Sequence, residues 1–444
     1  MMSGATGVNV GLLSSAGEQA GDSAKSVARR YELLVSTVSG LHSNGQATGQ
    51  TMRAAAELSR VLAIPATIFL DWEQVLLQAD QPNAPSHLYA FEATPAAVNM
   101  SRVEAISRII DRICDRSLLF GSAEAAMKAA KEIPTSSLSL FVLACIAAPI
   151  ALAIISGANH PVSLLVIGLS GGLGALLRRF LGSRHVGVIA QSFAAALLAG
   201  LIAAAAVHLQ VAHDLRILAV TPCMILVPGP HIINGSLDTL ALRFPVGLSR
   251  LSYAGWILGA ICVGILIGLK LGGISLPIVQ AGLGVPLWID LVCAGIAAAC
   301  YGVYFSMPVQ MLVWPVLAGM VAHGAHWWVS AAFHAGPGTA AGVAGLTVGI
   351  LLTPVVQRLR LPFAAIGFAS VVSLMPGSLV FRMSSGLVQL VQHTEKASVS
   401  SVANTLSDGV TAIVVILGLV LGLSLPQHFY HCVQLFRENE RRNV

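Results

Sequence analysis

The sequence predicts a mostly α-helical membrane protein. Ten transmembrane helices form a 5+5 inverted repeat, two of them broken at Pro-Gly, behind a small α+β cytosolic domain. Three observations carry this reading. The 444 residues are 55% hydrophobic and 10% charged, with mean hydropathy +0.78, whereas a soluble domain carries about 25% charged residues. Beyond Pro134 the chain is a succession of apolar runs of about the length that crosses a bilayer. Two of these runs stop in the same way, at Met224-Ile225-Leu226-Val227-Pro228-Gly229-Pro230 and at Val372-Ser373-Leu374-Met375-Pro376-Gly377-Ser378, about 148 positions apart.

Residues 1–22 are rich in Gly, Ser and Ala and are expected to be disordered, with no basic segment and apolar run to mark a cleavable signal peptide. Residues 23–134 hold most of the acidic side chains and read as the cytosolic α+β domain. Val27, Leu33, Leu34, Val38 and Leu41 approximate helical spacing, closing near Gly40 and Gly45. Met52, Ala55, Leu58 and Leu62 suggest a second helix, ended by Pro65. Residues 67–70 and 75–77 read as strands joined by the polar turn Asp71-Trp72-Glu73-Gln74, with a third strand over residues 87–92. Ile106, Ile109, Ile110 and Ile113 mark another amphipathic helix, for which Ser101 is the expected cap, with Glu104 three residues on.

Ten spans are expected at 138–156, 162–179, 186–208, 215–229, 251–270, 287–305, 309–331, 338–357, 361–377 and 406–425. Shifting the first five by about 148 to 154 positions lands each on one of the second five. The halves are then 135–276 and 283–430, followed by a basic cytosolic tail over 431–444. An odd number of spans per half makes the second half enter the membrane from the opposite side. With a cytosolic N-terminus, the inside connections hold Lys128, Lys131, Arg178, Arg179, Arg184, Arg243, Arg250, Arg358, Arg360, Arg437, Arg441 and Arg442. The outside connections hold only Arg216, Lys270, Arg382 and Lys396. That bias satisfies the positive-inside rule and places both termini in the cytosol.

The breaks are where function is expected. Pro removes a backbone donor and Gly imposes no side-chain constraint, so a Pro-Gly pair interrupts a helix and frees backbone groups. In hydrocarbon such groups persist only where protein covers them or a cavity lies beside them. A matched pair of interrupted segments, one per half, points to a transporter's binding site. Past Pro228 and Gly229 come Asn234 and Asp238, four apart and therefore on one face of a resumed helix. An amide and a carboxylate in a largely uncharged region are functional candidates; the plain alternative is a loop with a solvated Asp. Past Pro376, the freed amides of Gly377 and Ser378 suit a carboxylate, and Arg382 can pair with one bidentately or else snorkel to the interface.

Other polar residues read more plainly. His323, His326 and His334 lie beside Trp327 and Trp328 at the expected end of a span, as in an interfacial belt, without a carboxylate or Cys to complete a metal site. Asp290 and Asp408 open the sixth and tenth spans as charges favoured at helix N-termini. The seven cysteines form no CxxC pair and read as buried small residues. The Gly-rich stretches 168–174 and 255–268 permit close helix packing. No P-loop is present, which argues against ATP-driven transport. No cofactor or metal is implied, and a net charge of +5 is too small to indicate nucleic acid. The expected partners are the lipid bilayer, a small-molecule substrate and protons, and a homo-oligomer is compatible with the sequence.

The chain resembles the threonine/serine exporter family over nearly its whole length. The resemblance lies in Leu41-His42-Ser43-Asn44-Gly45 through Ile68-Phe69 and in Val98-Asn99-Met100-Ser101-Arg102. It continues in Val227-Pro228-Gly229 with Asn234 and Asp238, and in Leu374-Met375-Pro376-Gly377-Ser378 with Arg382. Pro230, His231 and the stretch 239–250 depart from the family pattern. The resemblance implies a cytosolic N-terminal domain, about ten spans, and export of threonine and serine driven by the proton motive force. A related split pair of proteins leaves succinate-like dicarboxylates open as cargo. The candidate substrate-binding residues are Pro228, Gly229, Asn234, Asp238, Pro376, Gly377, Ser378 and Arg382. If the two breaks converge, Asp238 would meet the ammonium group of the amino acid, and Arg382 with Gly377 its carboxylate. A membrane-anchored hydrolase is the reading from another class, but Glu57, Asp71 and Glu73 form no motif with a His or Cys nucleophile, so an enzyme is not expected.

Overall fold

The computed structural model describes residues 18–79, 87–95, 97–211, 215–274, 285–359, 363–392 and 398–442. The expected disorder of residues 1–17, and Arg360 and Lys396 of the charge pattern, lie outside the described residues. Residues 18–22, expected to be disordered, form the first turn of α1 (Glu18–Ser43). The chain continues through α2 (Thr48–Val61), β1 (Ala66–Leu70), β2 (Gln74–Ala79), β3 (His87–Glu92), α3 (Met100–Cys114) and α4 (Phe120–Glu132). The strands form an antiparallel meander in the order β1-β2-β3, with Ile68 opposite Leu77 and Val75 opposite Phe91. Ile68, Val75 and Leu77 are buried on one face, as period-two alternation requires. Leu34, Leu58, Val103, Ile106 and Met127 fill the core between the helices. Two features differ from expectation. Asn99, not Ser101, caps α3, its Oδ1 accepting from the Arg102 amide at 3.3 Å. Helix α4 escaped the periodicity reading because its buried face is Ala123, Met127 and Ala130, too small a stripe to stand out.

The remainder is helical: α5 (Leu138–Ile155), α6 (Pro161–Ser183), α7 (Val188–His208), α8 (Leu215–Met224), α9 (Gly229–Leu240), α10 (Phe244–Leu271), α11 (Leu287–Tyr304), α12 (Val313–Phe333), α13 (Pro337–Leu359), α14 (Phe363–Val371), α15 (Gly377–Gln392) and α16 (Val399–Arg442). Seven of these are long and apolar enough to cross a membrane. Two bent pairs bring the number to nine: α8 with α9, at 65°, and residues 365–374 with 377–390, at 61°. This is a multi-pass membrane protein. The expected seventh span corresponds to α12, which is 21 residues long but falls short in apolarity among the described residues because His323, His326, Trp327 and Trp328 dilute it. The resumed helix expected past Gly229 is residues 229–240, whereas the connection expected to hold Arg382 is itself helical over residues 377–392. A Pro at the first helical positions, Pro230 in α9, restarts a helix without losing a bond.

Small residues set the closest helix contacts. Along α7 and α10, a Cβ on Gly264 would meet Phe193 O at 2.6 Å, and one on Gly268 would meet Leu197 O at 2.4 Å. The contacts advance together along both helices, so the pair is parallel. The same holds for α13 and α16, where a Cβ on Gly418 would meet Gly338 O at 2.5 Å and one on Gly422 would meet Gly342 O at 2.4 Å. Association in lipid relies on such close packing because lipid tails are as apolar as the side chains. Helix α6 approaches α5 likewise, with Gly171 against Cys145 O. Gly422→Val should therefore overpack the seam, costing about 1–3 kcal/mol or more, and lower the melting temperature of the detergent-purified protein. Gly255→Val, whose Cβ meets nothing within 4 Å, should melt like the wild type.

Candidate functional site

The two breaks are built alike. At the first, Gly229 N donates back to Val227 O at 2.9 Å, and the amides of His231 and Ile232 both reach Pro228 O. At the second, Gly377 N donates to Met375 O at 2.8 Å, and the amides of Leu379 and Val380 both reach Pro376 O. Each Pro thus sits at the centre of an inverse γ-turn, with φ −81° and ψ 56° at Pro228. The Gly377 amide is consequently not free for a carboxylate, contrary to expectation.

The breaks also touch each other. A Cβ on Gly229 would fall 1.6 Å from the Phe368 ring of α14, so only Gly permits that ring to lie on the first break. Gly377 in turn faces the Met224 side chain at 3.4–3.6 Å from its ideal Cβ. Tyr301 of α11 donates its hydroxyl to Met224 O at 2.6 Å, satisfying a carbonyl at the end of α8. Neither Tyr301 nor Phe368 had a signal of its own in the sequence.

Asn234 and Asp238 share one face of α9, as their spacing predicts, and that face meets the N-terminal region. Asn234 Nδ2 donates to Gly45 O at 3.1 Å, and Thr48 Oγ1 donates to Asp238 Oδ2 at 2.8 Å. Arg250, expected in a connection, lies in α10 and is 0% exposed. Its Nε stands 3.5 Å from Asp238 Oδ2 and its Nη2 3.4 Å from Thr48 Oγ1. Arg243 flanks Asp238 at 3.5 Å from the other side. Beside this cluster, Trp72 at the tip of the β1–β2 turn packs on Tyr253 and His231, with ring centroids 5.0 and 6.2 Å away. The turn between α1 and α2 and the β1–β2 tip thus both seat on the first break.

Charges at the second break are placed differently. Arg382 pairs with Asp408 at 2.8 Å, so it neither snorkels unpaired nor stands next to Asp238. Asp408 lies well inside α16 and serves this pair, not the start of the helix. His323 is buried, not interfacial: its Nδ1 is 2.9 Å from Asp290 Oδ2 and its Nε2 is 2.6 Å from Ser373 Oγ. Asp290 does stand in the first turn of α11, yet its partner is this imidazole. No group of three or more His, Cys, Asp or Glu with metal-binding geometry occurs among the described residues.

Two cavities adjoin the first break. One of about 680 Å³ reaches from Val227, Pro228 and His231 to Arg178, Arg179 and Tyr304. Arg178 donates to the Tyr304 hydroxyl and lies over its ring, while Arg179 covers Phe141 with its guanidinium 4.3 Å from the ring centroid. The other, about 360 Å³, lies between the N-terminal region and the helices, lined by Arg53, Asn234, Asp238, Arg243, Gln357 and His428 among others. Both are large enough for a small polar solute.

A family model described as a threonine/serine exporter matches residues 33–272, and one described as Threonine/Serine exporter, ThrE, matches residues 290–429. The chain belongs to the threonine/serine exporter family. Membership points to an amino-acid exporter rather than an enzyme. No curated protein and no solved structure matches the chain.

The docked N-terminal region carries a pH-sensitive group. Burial, and secondarily the Arg250 charge, hold the His42 imidazole at about 4, down from 6.5. Between those values the unfolded ring binds a proton that the folded ring refuses, so stability rises with pH across the window and falls as pH drops from 6.5 towards 4. The loss is bounded at about 3 kcal/mol. His42→Asn should flatten the dependence of melting temperature on pH between 7 and 5 relative to wild type.

Proposed function

We propose that this protein is a secondary transporter that exports threonine and serine across the bacterial plasma membrane, driven by the proton motive force, with both termini in the cytosol. The observation that carries the reading is the pair of broken helices, one in each family-matched part, with identical hydrogen-bond patterns and in contact with each other. A matched pair of interrupted helices, one per repeat, is where a transporter's binding site is expected.

The 5+5 inverted repeat belongs to the same proposal. Packing in the first set, α5 on α6, α6 on α7, α7 on α10 and α9 on α10, recurs in the second as α11 on α12, α12 on α13, α13 on α16 and α15 on α16. Both long parallel seams are glycine-lined, and the two family matches part between residues 272 and 290, where one half would end. The α12 helix completes ten crossings. Single cysteines at Ser236 and Ser400 in a Cys-free background should label from opposite faces of the membrane. Labelling from one face would refute the inverted repeat.

For the site, Pro228, Gly229, Pro376, Gly377 and Ser378 shape the crossing. Asn234 and Asp238 form the cytosolic polar face, where Asp238 meets the substrate ammonium group once Thr48 withdraws. Arg382 takes the substrate carboxylate in place of Asp408, the carboxylate it pairs with at 2.8 Å. Proteoliposomes should exchange labelled threonine and serine but not succinate. Arg382→Lys should raise the apparent substrate constant by the equivalent of ~1–3 kcal/mol, the scale of a charged hydrogen bond. An unchanged constant in that variant would remove Arg382 from the site, and succinate exchange would replace the amino-acid cargo with a dicarboxylate.

A further inference from the structure

The substrate site proposed above makes no use of the buried chain Asp290–His323–Ser373. Three elements build it: the first turn of α11, the middle of α12, and the short 3₁₀ turn over Val372–Leu374 that leads into Pro376. The ring of His323 is 2% exposed, while the Asp290 side chain retains 16%. Gly319, one turn before His323, lets α12 lie against the backbone of Ser370, so the imidazole is pressed onto the segment that breaks. Other titratable groups nearby are His326, one turn along α12, and Cys293, one turn along α11. Of the other elements packed on α12, α13 carries an ionisable side chain only in its last turn, Arg358, and α14 carries none.

We propose that His323 is the proton-binding site of the transporter, that Asp290 positions it, and that Ser373 passes its protonation state to the second break. This rests on the proton-driven reading above. In the neutral ring, Nδ1–H donates to the Asp290 carboxylate and Nε2 accepts from the Ser373 hydroxyl. A proton reaching the ring through the part-exposed Asp290 end makes both nitrogens donors. Ser373 Oγ must then accept, and its own hydrogen has to turn to another acceptor on the turn before Met375 and Pro376. One proton is taken up and one released per cycle, and the buried site alternates between one net negative charge and none. The carboxylate holds the imidazolium by a charge-assisted bond, as in other carboxylate–imidazole pairs. The charge change and the donor reversal thus act on the residues that set the geometry of the break.

The test uses the full-length protein in proteoliposomes, with two readings: threonine counterflow without a gradient, and threonine transport driven by an imposed pH gradient. His323→Gln should lose gradient-driven transport by about a hundredfold or more, the scale of a lost proton-transfer group, while counterflow stays near wild type and loses its pH dependence. Asp290→Asn should keep coupling but move the pH midpoint of exchange down by about one unit, as removal of a neighbouring anion does. Ser373→Ala should retain the pH-dependent step yet transport slowly under the gradient. Should His323→Gln fail to fold, Asp290→Asn and Ser373→Ala decide, since an unchanged midpoint and an unchanged driven rate would together overturn the proposal. Wild-type pH dependence in His323→Gln overturns it outright. Covalent capture of Ser373 by a fluorophosphonate probe overturns it in favour of a serine nucleophile, which the same three groups also resemble. A wild-type protein that exchanges threonine but ignores the pH gradient refutes proton-driven export itself, which distinguishes that failure from this one.

Discussion

A helix interrupted inside hydrocarbon leaves carbonyls and amides that water cannot reach, and each stranded group costs several kcal/mol (of order the desolvation of a peptide bond) unless protein answers it. This chain answers in two ways. Each Pro folds the preceding carbonyl back onto the Gly amide that follows it, at 2.9 and 2.8 Å. The Met224 carbonyl, which accepts from the Val227 amide at 3.2 Å, takes a second bond from Tyr301 of α11. The aromatic ring of Phe368 then covers Gly229 at a distance that no residue with a Cβ would allow. The first break is therefore not a self-contained unit, because α11 and α14 complete its surroundings.

Buried charge follows the same logic of mutual satisfaction. Asp238, Asp290 and Asp408 each face a basic group: Asp238 with Arg243 and Arg250, Asp290 with His323, Asp408 with Arg382. Removing one partner of such a pair leaves an uncompensated charge, which typically costs more than the pair contributes. The pairs differ in looseness. Arg382 and Asp408 are in hydrogen-bond contact at 2.8 Å, whereas Arg250 stands 3.5 Å from Asp238 with its Nε and Nη1 making no hydrogen bond. A loose pair with unused donors is the kind that can change partners.

What was legible in the sequence was whatever depends on local chemistry. The Pro-Gly breaks, the polar turn at residues 71–74 with its flanking strands, the shared face of Asn234 and Asp238 and the close-packing role of Gly264 and Gly268 all follow from spacing or from single-residue properties. What stayed hidden depends on distance along the chain. Thr48 reaches Asp238 across 190 positions, and His323 reaches Asp290 and Ser373 across 33 and 50. In isolation, His323 beside two tryptophans looks like an interfacial residue, and Arg382 near a helix end looks like a snorkelling one. Pairing decided both, and pairing is a tertiary property. Ser101 illustrates the same limit at short range. Its hydroxyl and amide both donate to Ser306 O, which leaves the cap to Asn99.

The N-terminal region grips both halves, and it does so in two unlike ways. Its α1–α2 turn and the start of α2 hold α9 and α10 through side chains: Thr48 donates to Asp238, Asn234 to the Gly45 carbonyl, and Arg250 to Thr48. Its α3 helix instead meets the end of α11 with backbone: the Met100 and Ser101 amides donate to the carbonyls of Phe305 and Ser306, both at 3.0 Å. The latter joins the positive end of one helix to the negative end of another, so parting them strands groups on both sides at once. Side-chain grips can rotate away and find other partners, whereas a helix-end junction has no second arrangement. If one half of the bundle tilts against the other, the region therefore travels with α11 and slips at α9.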